Sequence, residues 1–417
     1  MEKNFKRVKY ACYSSNIAMS VVATLSPILF LTFHNLYGIS YSLLGLLVLI
    51  NFVTQLGIDL VFSFFSHKFD IPKTVKTIPV LTLIGLVIYA CWAWVFPNSV
   101  YVGLVLGTVI YSAAAGLGEV LISPVIAAIP AENPDKEMSK LHSIYAWGVV
   151  AVALFCTLFL QIFKNTNWQW LTLLFTIVPI AGFLLFFGAE VPEMERPEKM
   201  SGALSQMKDK RLWLSVFAIF LGGASECTMA QWSSGYLEQA LGIEKVWGDV
   251  FGVAMFALML GLGRSMYAKN GKNIARVPFF GAIGATLCSL IAAISGEPII
   301  GLLACGFTGF FVSMLWPGNL IVASDRFPHG GVFLYAMMAA GGDLGASIGP
   351  QLVGVITDFA IANPSVAEFA NSLALAPEQF GMRLGILVGM IFPLIAIFVY
   401  SVFLKAEKKK QSEIKSE

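Results

Sequence analysis

The sequence predicts an all-α membrane protein with twelve transmembrane helices in two pseudo-symmetric six-helix bundles. Three observations lead to this fold class: an apolar composition, twelve apolar stretches of membrane-spanning length, and a second half that repeats the first. Of the 417 residues, 57% are hydrophobic and 12% are charged, and the mean hydropathy is +0.76. Soluble chains carry about 25% charged residues, so this composition indicates a protein solvated by lipid.

Twelve stretches are long enough to cross a bilayer, since a helix needs about 20 apolar residues to span the roughly 30 Å hydrocarbon core. They are 10–33, 41–65, 75–95, 100–130, 140–163, 168–188, 211–237, 246–267, 274–295, 298–323, 331–360 and 380–404. The first stretch is too long for the apolar core of a signal peptide, and we expect no cleaved leader.

Residues of the second half match residues of the first half at two constant offsets. An offset of 204 residues pairs Gly38, Phe52, Leu56 and Gly57 with Gly242, Phe256, Leu260 and Gly261. An offset of 193 residues pairs Gly116, Pro124, Ala146 and Gly148 with Gly309, Pro317, Ala339 and Gly341. Repeats in the same order predict two helical bundles related by an axis along the membrane normal.

The basic residues predict that both termini lie in the cytoplasm. With the N-terminus inside, 24 of the 27 lysines and arginines fall on the inner side, where we count Arg264 in the loop after the eighth stretch. Only Lys164, Lys245 and Arg383 fall outside. This bias indicates a multi-pass protein of the plasma membrane, which in a bacterium is the inner membrane. The net charge of +2 is too small to indicate a nucleic-acid partner.

The longest polar interruption, 189–211, lies between the sixth and seventh stretches. We therefore predict an N-terminal bundle over 1–190, a cytoplasmic linker over 191–210 and a C-terminal bundle over 211–405. A polar tail over 406–417 is expected to be disordered. The segment 361–379 is the longest predicted outer loop, and Asp358, just before it, is expected to be solvated.

Four carboxylates within the predicted spans are candidates for cation or proton coupling: Glu119, Glu226, Asp59 and Asp343. A charged group at mid-bilayer costs about 3 kcal/mol, so it should line a cavity or have a partner. Glu119 shares its helix face with Ser112, Gly116 and Ser123. The alternative is a structural carboxylate fixed by an interhelical hydrogen bond.

Polar side chains in the spans indicate a cavity for a neutral hydrophilic solute. Gln231 and Trp232 follow Glu226 within two turns, and a carboxylate, an amide and an indole together suit a sugar. The predicted solute-binding residues are Asn16, Asn51, Gln55, Glu119, Tyr145, Glu226, Gln231, Trp232, Trp316, Asn319 and Gln351. Each of them could instead serve packing or hydrogen bonding between helices.

Two blocks of sequence resemble the fucose-galactose-glucose/proton symporters of the major facilitator superfamily. One block is Gly223-Ala224-Ser225-Glu226, then Trp232 and Tyr236-Leu237. The other runs from Gly116-Leu117-Gly118-Glu119 through Pro124 to Tyr145-Ala146-Trp147-Gly148. The resemblance implies the major facilitator fold and a role for Glu119 in sugar binding and coupling. Ser123 replaces the family's asparagine before the proline, and Asn16 stands in the first span, where the family has a protonatable aspartate.

We therefore expect a monomeric secondary active transporter in the lipid bilayer that moves a small polar solute, a sugar, by proton symport through alternating access. The sequence contains no phosphate-binding Gly-x-x-x-x-Gly-Lys-Ser/Thr run, which argues against ATP drive. It contains no nucleophile–base or metal-ligand set, so we expect no enzyme activity, metal or cofactor. Two alternatives stay open: Na⁺-coupled sugar symport through Asp59, Asn51 and Gln55, and export of amphipathic compounds.

Overall fold

The computed structural model describes residues 5–65, 68–130, 134–192, 208–270, 276–327 and 331–416, and within these ranges no strand occurs. The first half contains α1 (Lys6–Tyr37), α2 (Tyr41–Phe65), α3 (Ile71–Val95), α4 (Val100–Ala128), α5 (Pro134–Phe163), α6 (Trp168–Phe175) and α7 (Ile177–Phe186). The second half contains α8 (Lys210–Leu241), α9 (Lys245–Gly248), α10 (Met255–Asn270), α11 (Arg276–Ile294), α12 (Pro298–Val312), α13 (Leu315–Arg326), α14 (Gly331–Ala362), α15 (Pro364–Ser372), α16 (Pro377–Gly389) and α17 (Ile391–Ser416).

Twelve candidate membrane spans occur in the described part of the chain, which confirms the predicted number. Four of these spans consist of two consecutive helices: α6 with α7, α9 with α10, α12 with α13, and α16 with α17. Between α9 and α10 the backbone forms a π-helical turn, Asp249–Ala254. Such breaks are tolerated inside a membrane protein only where side chains or neighbouring helices satisfy the freed backbone groups.

The sequence repeat corresponds to repeated backbone geometry. Helices α1 and α8 are both 32 residues long, and both end at a glycine, Gly38 and Gly242, with φ 65° and ψ 23°. A left-handed conformation at the residue after a helix is nearly free of strain only for glycine. The pair of glycines therefore fixes the same helix end in each half of the chain.

A second repeated pair of glycines allows two helices to cross closely in each half. Gly116 of α4 lies against α2, where an added Cβ would be 3.1 Å from the Cα of Gln55. Gly309 of α12 lies against α10 in the same way, and an added Cβ would overlap the carbonyl oxygen of Phe256. Small residues at such crossings bring the backbones together and increase van der Waals contact, which drives helix association in lipid.

The described chain divides into two compact units. The first comprises Met1–Ile39 and Ile50–Met200, and the second comprises Ser40–Leu49 and Ser201–Glu417. Most of the predicted linker, residues 193–207, lies outside the described residues. The start of α2 is thus grouped with the second unit, an arrangement that the sequence analysis did not anticipate.

Two predicted irregular segments are helical. Helix α17 continues to Ser416, through the tail that was expected to be disordered. The lysine and glutamate residues there favour helix, and extending an existing helix carries no nucleation cost. The predicted outer loop 361–379 contains α15, whose first turn is capped by Asn363 through bonds from the amides of Ser365 and Val366.

Asp358 caps a helix instead of being solvated, which corrects the expectation from the sequence. Its carboxylate accepts hydrogen bonds from the backbone N–H groups of Tyr41 (3.1 Å) and Ser42 (2.7 Å) and from the Ser42 hydroxyl. These donors form the N-terminus of α2, where the helix dipole favours a negative charge. The contact ties the first turn of α2 to α14 within the second unit.

Asp249, in the π-helical turn, is a second buried carboxylate that the sequence analysis did not single out. Its side chain is fully buried, accepts a 2.5 Å hydrogen bond from the Ser234 hydroxyl and lies 3.3 Å from the ammonium group of Lys245. Because a buried charge is tolerated when it is paired and hydrogen-bonded, this cluster fixes the start of α10 against α8.

The glycine crossings predict a graded effect of added methyl groups on stability. Gly309→Ala should lower the unfolding free energy by about 1–3 kcal/mol, because the Phe256 backbone cannot move aside cheaply. Gly116→Ala should cost less, since its closest contacts are 3.0–3.2 Å. Gly261→Ala is the control, because an added Cβ meets nothing within 4 Å there and helix propensity improves. Apparent Tm values in one detergent measure the order, and equal values for Gly309→Ala and Gly261→Ala would refute the crossing geometry.

The capping role of Asp358 predicts that its removal destabilises the protein. Asp358→Ala should cost about 1–2 kcal/mol, because three donors lose their acceptor, and Asp358→Asn should cost less because one oxygen remains. Ser42→Ala, which removes only the hydroxyl donor, should have the smallest effect. Thermal unfolding of the three variants measures this order, and an unchanged Tm for Asp358→Ala would show that the cap contributes nothing.

Candidate solute and cation site

Polar residues of α2 and α4 face each other along two turns of the first unit. The Ser112 hydroxyl donates a 2.6 Å hydrogen bond to the side-chain oxygen of Asn51. One turn further along, Gly116 lies against Gln55, and one turn beyond that, carboxylate oxygens of Asp59 and Glu119 lie within 4.8 Å of each other. Residues at i, i+4 and i+7 or i+8 share a helix face, so the sequence spacing produces this alignment. The structure thus brings four predicted residues together: Asn51, Gln55, Asp59 and Glu119.

The two acids differ in exposure, although both lie within candidate spans. Asp59 is 5% exposed, whereas Glu119 is exposed. Two ionised carboxylates at this separation would repel each other by about 3–4 kcal/mol at an effective dielectric constant of about 20. A proton or another cation between them removes that repulsion. The arrangement is therefore suited to binding a cation.

Asn16 and Tyr145 lie where α1 packs against α5. The side-chain amide of Asn16 donates a 2.7 Å hydrogen bond to the carbonyl of Leu141, and Asn16 is 7% exposed. The Ser20 hydroxyl donates to the carbonyl of Tyr145 at 2.9 Å. Asn16 thus holds two helices together in this structure, whereas the half-buried side chain of Tyr145 retains an exposed part.

Glu226, at the middle of α8, faces Arg264 of α10 in the second unit. One of its carboxylate oxygens lies 3.5 Å from a terminal nitrogen (Nη2) of Arg264. The Glu226 side chain is 17% exposed and the Arg264 side chain is 43% exposed. The Nε of Arg264 donates a 3.1 Å hydrogen bond to the carbonyl of Ser313.

Arg264 is a site residue that the sequence analysis missed, because we counted it in an inner loop. The structure places it inside the candidate span Lys245–Tyr267. Ser313 lies at the break between α12 and α13, and the Arg264 Nε–H satisfies its carbonyl there. Gly263 allows this approach, since an added Cβ would overlap the Ser313 hydroxyl. The available signal was an arginine within a predicted span, next to a glycine.

The indole ring of Trp316 packs against two glycines. Its six-membered ring packs against Gly223 of α8, where an added Cβ would be 3.1 Å away, and against Gly342 of α14, where an added Cβ would overlap the ring. The residue is half-buried. The two glycines thus allow a large indole to lie flat between helices with part of its surface exposed.

Trp232 and Asn319 are fully engaged in packing. Trp232 is completely buried, and its indole N–H donates to the carbonyl of Pro350 at 2.8 Å. Asn319 is 2% exposed, and its amide donates to the Tyr400 hydroxyl (2.8 Å) and to the Leu315 carbonyl (2.5 Å). Neither side chain offers a surface to a solute, because each is buried and hydrogen-bonded to another helix. Both residues thus match the alternative role of packing and hydrogen bonding between helices.

The remaining predicted residues of the second unit are spread over α8 and α14. Gln231 and Gln351 are half-buried, and Asp343 is 4% exposed. Gln351 packs against Gly45, where an added Cβ would be 3.1 Å from the Gln351 side-chain oxygen. Glu226 and Arg264 form an ion pair between two candidate spans of this unit.

A groove of about 460 Å³ lies at the junction of α5 and α6, away from all of these polar residues. It is lined by Phe159, Phe163, Asn167, Trp170, Leu173, Leu174 and Ile177. Because its lining is almost entirely apolar and contains no ionisable group, it does not suit a hydrophilic solute.

Comparisons with known proteins agree with this architecture. The solved structures similar to this chain include the nucleoside transporter NupG, with 11% identity, a TM-score of 0.73, and coverage of 96% of this chain and 99% of that one. They include the Escherichia coli fucose:proton symporter FucP, with 15% identity, a TM-score of 0.57, and coverage of 93% and 98%. The xylose transporter XylE from Escherichia coli, in an inward open conformation, has 15% identity, a TM-score of 0.67, and coverage of 92% and 95%.

At these identities, the solved structures establish a shared fold. No curated protein sequence matches this chain significantly. The sequence model of the Major Facilitator Superfamily, however, matches residues 11–350, which is most of the chain. With its twelve spans and its two repeated units, the chain therefore belongs to the Major Facilitator Superfamily of membrane transporters.

Proposed function

We propose that this protein is a secondary active transporter that moves a small polar solute, a sugar, by proton symport through alternating access. The observation that carries the proposal is the pair formed by Asp59 and Glu119, whose carboxylate oxygens lie within 4.8 Å inside two candidate spans. Acids at such positions mark ion or proton pathways in membrane proteins, since lipid-facing positions exclude them. Two proteins of similar structure, a fucose:proton symporter and a D-xylose-proton symporter, support the same class of solute and coupling.

The polar groups beside the acid pair supply partners for hydroxyl groups. The amides of Asn51 and Gln55 and the hydroxyl of Ser112 lie along the same two helices. An amide both donates and accepts, so it can bond to a sugar hydroxyl in either direction. In the second unit, the exposed part of Trp316 offers an apolar face of the kind that stacks on a pyranose ring. We also keep Glu119, Tyr145, Gln231 and Gln351 in the proposed solute set, and Glu226 beside it as the ion-pair partner of Arg264.

Three residues of the predicted set are left out of the proposed solute contacts. Trp232 and Asn319 are buried and hydrogen-bonded within the second unit, and Asn16 bonds α1 to α5. We assign them the task of holding the helices that carry the solute groups. Asp343 remains a coupling candidate because it is a buried carboxylate in a candidate span.

The proposed orientation places both termini in the cytoplasm of a cell whose plasma membrane holds the protein. The inner side then carries all but three of the lysines and arginines, if Arg264 is counted there as in the sequence analysis. If Arg264 is instead counted within its span, the inner side still carries 23 of the 27 lysines and arginines.

Sodium coupling is the second candidate for the driving ion. Two carboxylates with a side-chain amide nearby provide the oxygen ligands that a hard cation prefers. The pair of Asp59 and Glu119 therefore fits Na⁺ as well as a proton on chemical grounds, and only a measurement with each ion separates them.

The acid pair predicts that neutralising either member uncouples transport from protons. In proteoliposomes with an internal pH indicator, a sugar panel (L-fucose, D-xylose, D-glucose and D-glucuronate) should drive proton entry with the unmodified protein. Glu119→Gln and Asp59→Asn should reduce this signal at least tenfold, because each removes a proton-binding oxygen pair. Both variants should retain exchange of labelled sugar, which needs no net proton movement.

Glu368→Gln is the matched control, because Glu368 is an exposed acid on α15 outside the candidate spans. It should leave proton entry and exchange unchanged. Proton entry that survives in Glu119→Gln with its normal pH dependence would remove Glu119 from coupling. Stimulation by Na⁺ at constant pH, without proton entry, would replace proton symport by sodium symport.

A further inference from the structure

The internal repeat places a basic residue of the second unit one position beyond the counterpart of an acidic residue of the first unit. At the offset of 204 that relates Gly57 to Gly261, Asp59 corresponds to Gly263 and its neighbour Leu60 to Arg264. At the offset of 193, Glu119 corresponds to Val312, next to Ser313. The helix pair α2 and α4 thus carries two carboxylates, whereas the neighbours of their counterparts on α10 and α12 are Arg264 and Ser313, which are joined by a hydrogen bond.

Arg264 has donors that the protein does not use. Its Nε–H is held by the Ser313 carbonyl, which fixes the plane of the guanidinium. Glu226 is an ion-pair partner at 3.5 Å, and its nearer oxygen receives no hydrogen bond in the described part of the chain. Within those same residues, no hydrogen bond is made by either terminal nitrogen of Arg264. The terminal edge of the guanidinium is therefore oriented, partly solvated at 43% exposure, and available.

The planar edge of an arginine matches a carboxylate with two parallel hydrogen bonds, and these charge-assisted bonds are about twice as strong as neutral ones. A neutral hydroxyl accepts only one such hydrogen bond and leaves the charge of Arg264 balanced by Glu226 alone. The geometry thus favours a solute with an anionic group over a neutral one.

We infer that Arg264 is an anion-recognition residue, and that the transported solute is an acidic sugar whose carboxylate binds its terminal N–H groups. This inference rests on the proposed sugar transport and specifies the substrate class. Glu226 is then the resident counter-ion, which neutralises Arg264 when no solute is bound. The proton taken up with the solute balances the added negative charge, so that transport of one anion with one proton moves no net charge.

Binding of matched acidic and neutral sugars to the purified protein tests the inference. We compare D-glucuronate with D-glucose and D-galacturonate with D-galactose by isothermal titration calorimetry. Each acid should bind at least tenfold more tightly than its neutral partner. Arg264→Gln should weaken binding of the acids about ten- to a hundredfold, the effect of losing charge-assisted hydrogen bonds, and should weaken binding of the neutral sugars by much less.

Two further variants keep the test informative if Arg264→Gln folds poorly, since Arg264 also bonds Ser313. Glu226→Gln removes the resident counter-ion and leaves Arg264 in place, so it should tighten binding of the acids. A purely structural Arg264 would produce no such gain. Arg383→Gln is the matched control, because Arg383 also donates to a backbone carbonyl in this unit, that of Ala240 at 3.2 Å.

The outcomes separate this inference from the proposed function. Neutral sugars that bind as tightly as their acids, or acids whose binding is unaffected by Arg264→Gln and Glu226→Gln, would overturn the anion assignment and leave sugar transport standing. If none of the four probes binds, the acidic-sugar assignment fails, and proton entry driven by L-fucose or D-xylose in the proteoliposome assay then decides whether sugar transport stands.

Discussion

A polar group within the hydrocarbon core must find its partner inside the protein, and this constraint explains most of the contacts described above. Transfer of an unpaired polar or charged group into an apolar medium costs several kcal/mol. Asp249 is accordingly paired with Lys245 and Ser234, and Asp358 with the start of α2. The break between α12 and α13 is relieved by Arg264. Each of these pairs neutralises a charge or satisfies a backbone group.

The pair of Asp59 and Glu119 differs from these contacts, since it brings two groups of the same charge together. Like charges that are close in a low-dielectric region are unfavourable unless a cation lies between them. The repulsion between these acids is not needed to join α2 to α4, because Ser112 bonds to Asn51 and Gly116 packs against Gln55 on the same two helices. The account therefore assigns the pair to function. In the second unit, Arg264 lies one residue beyond the counterpart of Asp59, so the repeated helices carry different charges.

Much of the fold could be predicted from the sequence, because it depends on local properties of the chain. Hydropathy alone located the twelve spans, and the glycine repeat located the shared helix ends at Gly38 and Gly242. The cap at Asp358 was missed because it depends on where the chain folds back onto the start of α2. The cap at Asn363 was missed because it begins a short helix inside a polar segment that was predicted to be a loop. The helical end of α17 was missed because its charged composition resembles that of disordered tails.

The candidate site was predicted less completely, for a related reason. Helical spacing places Asn51, Gln55 and Asp59 on one face and Ser112, Gly116 and Glu119 on another, but it does not show that the two faces meet. Trp232 looked like a sugar-stacking residue because its side chain has the right chemistry, whereas its burial against Pro350 depends on tertiary packing. Arg264 was overlooked because charge was counted by loop, and its partners Glu226 and Ser313 are distant in sequence.

We propose that the carboxylates of Asp59 and Glu119 exchange a proton when the solute binds. Infrared difference spectroscopy of the protein in lipid, recorded with and without bound sugar, observes this step directly through the C=O stretch of a protonated carboxyl group. The account predicts a solute-dependent change in that band, shifted in D₂O and absent from the variant with both Asp59→Asn and Glu119→Gln. A solute-bound spectrum without any carboxyl change, or an unaltered change in that double variant, would contradict it.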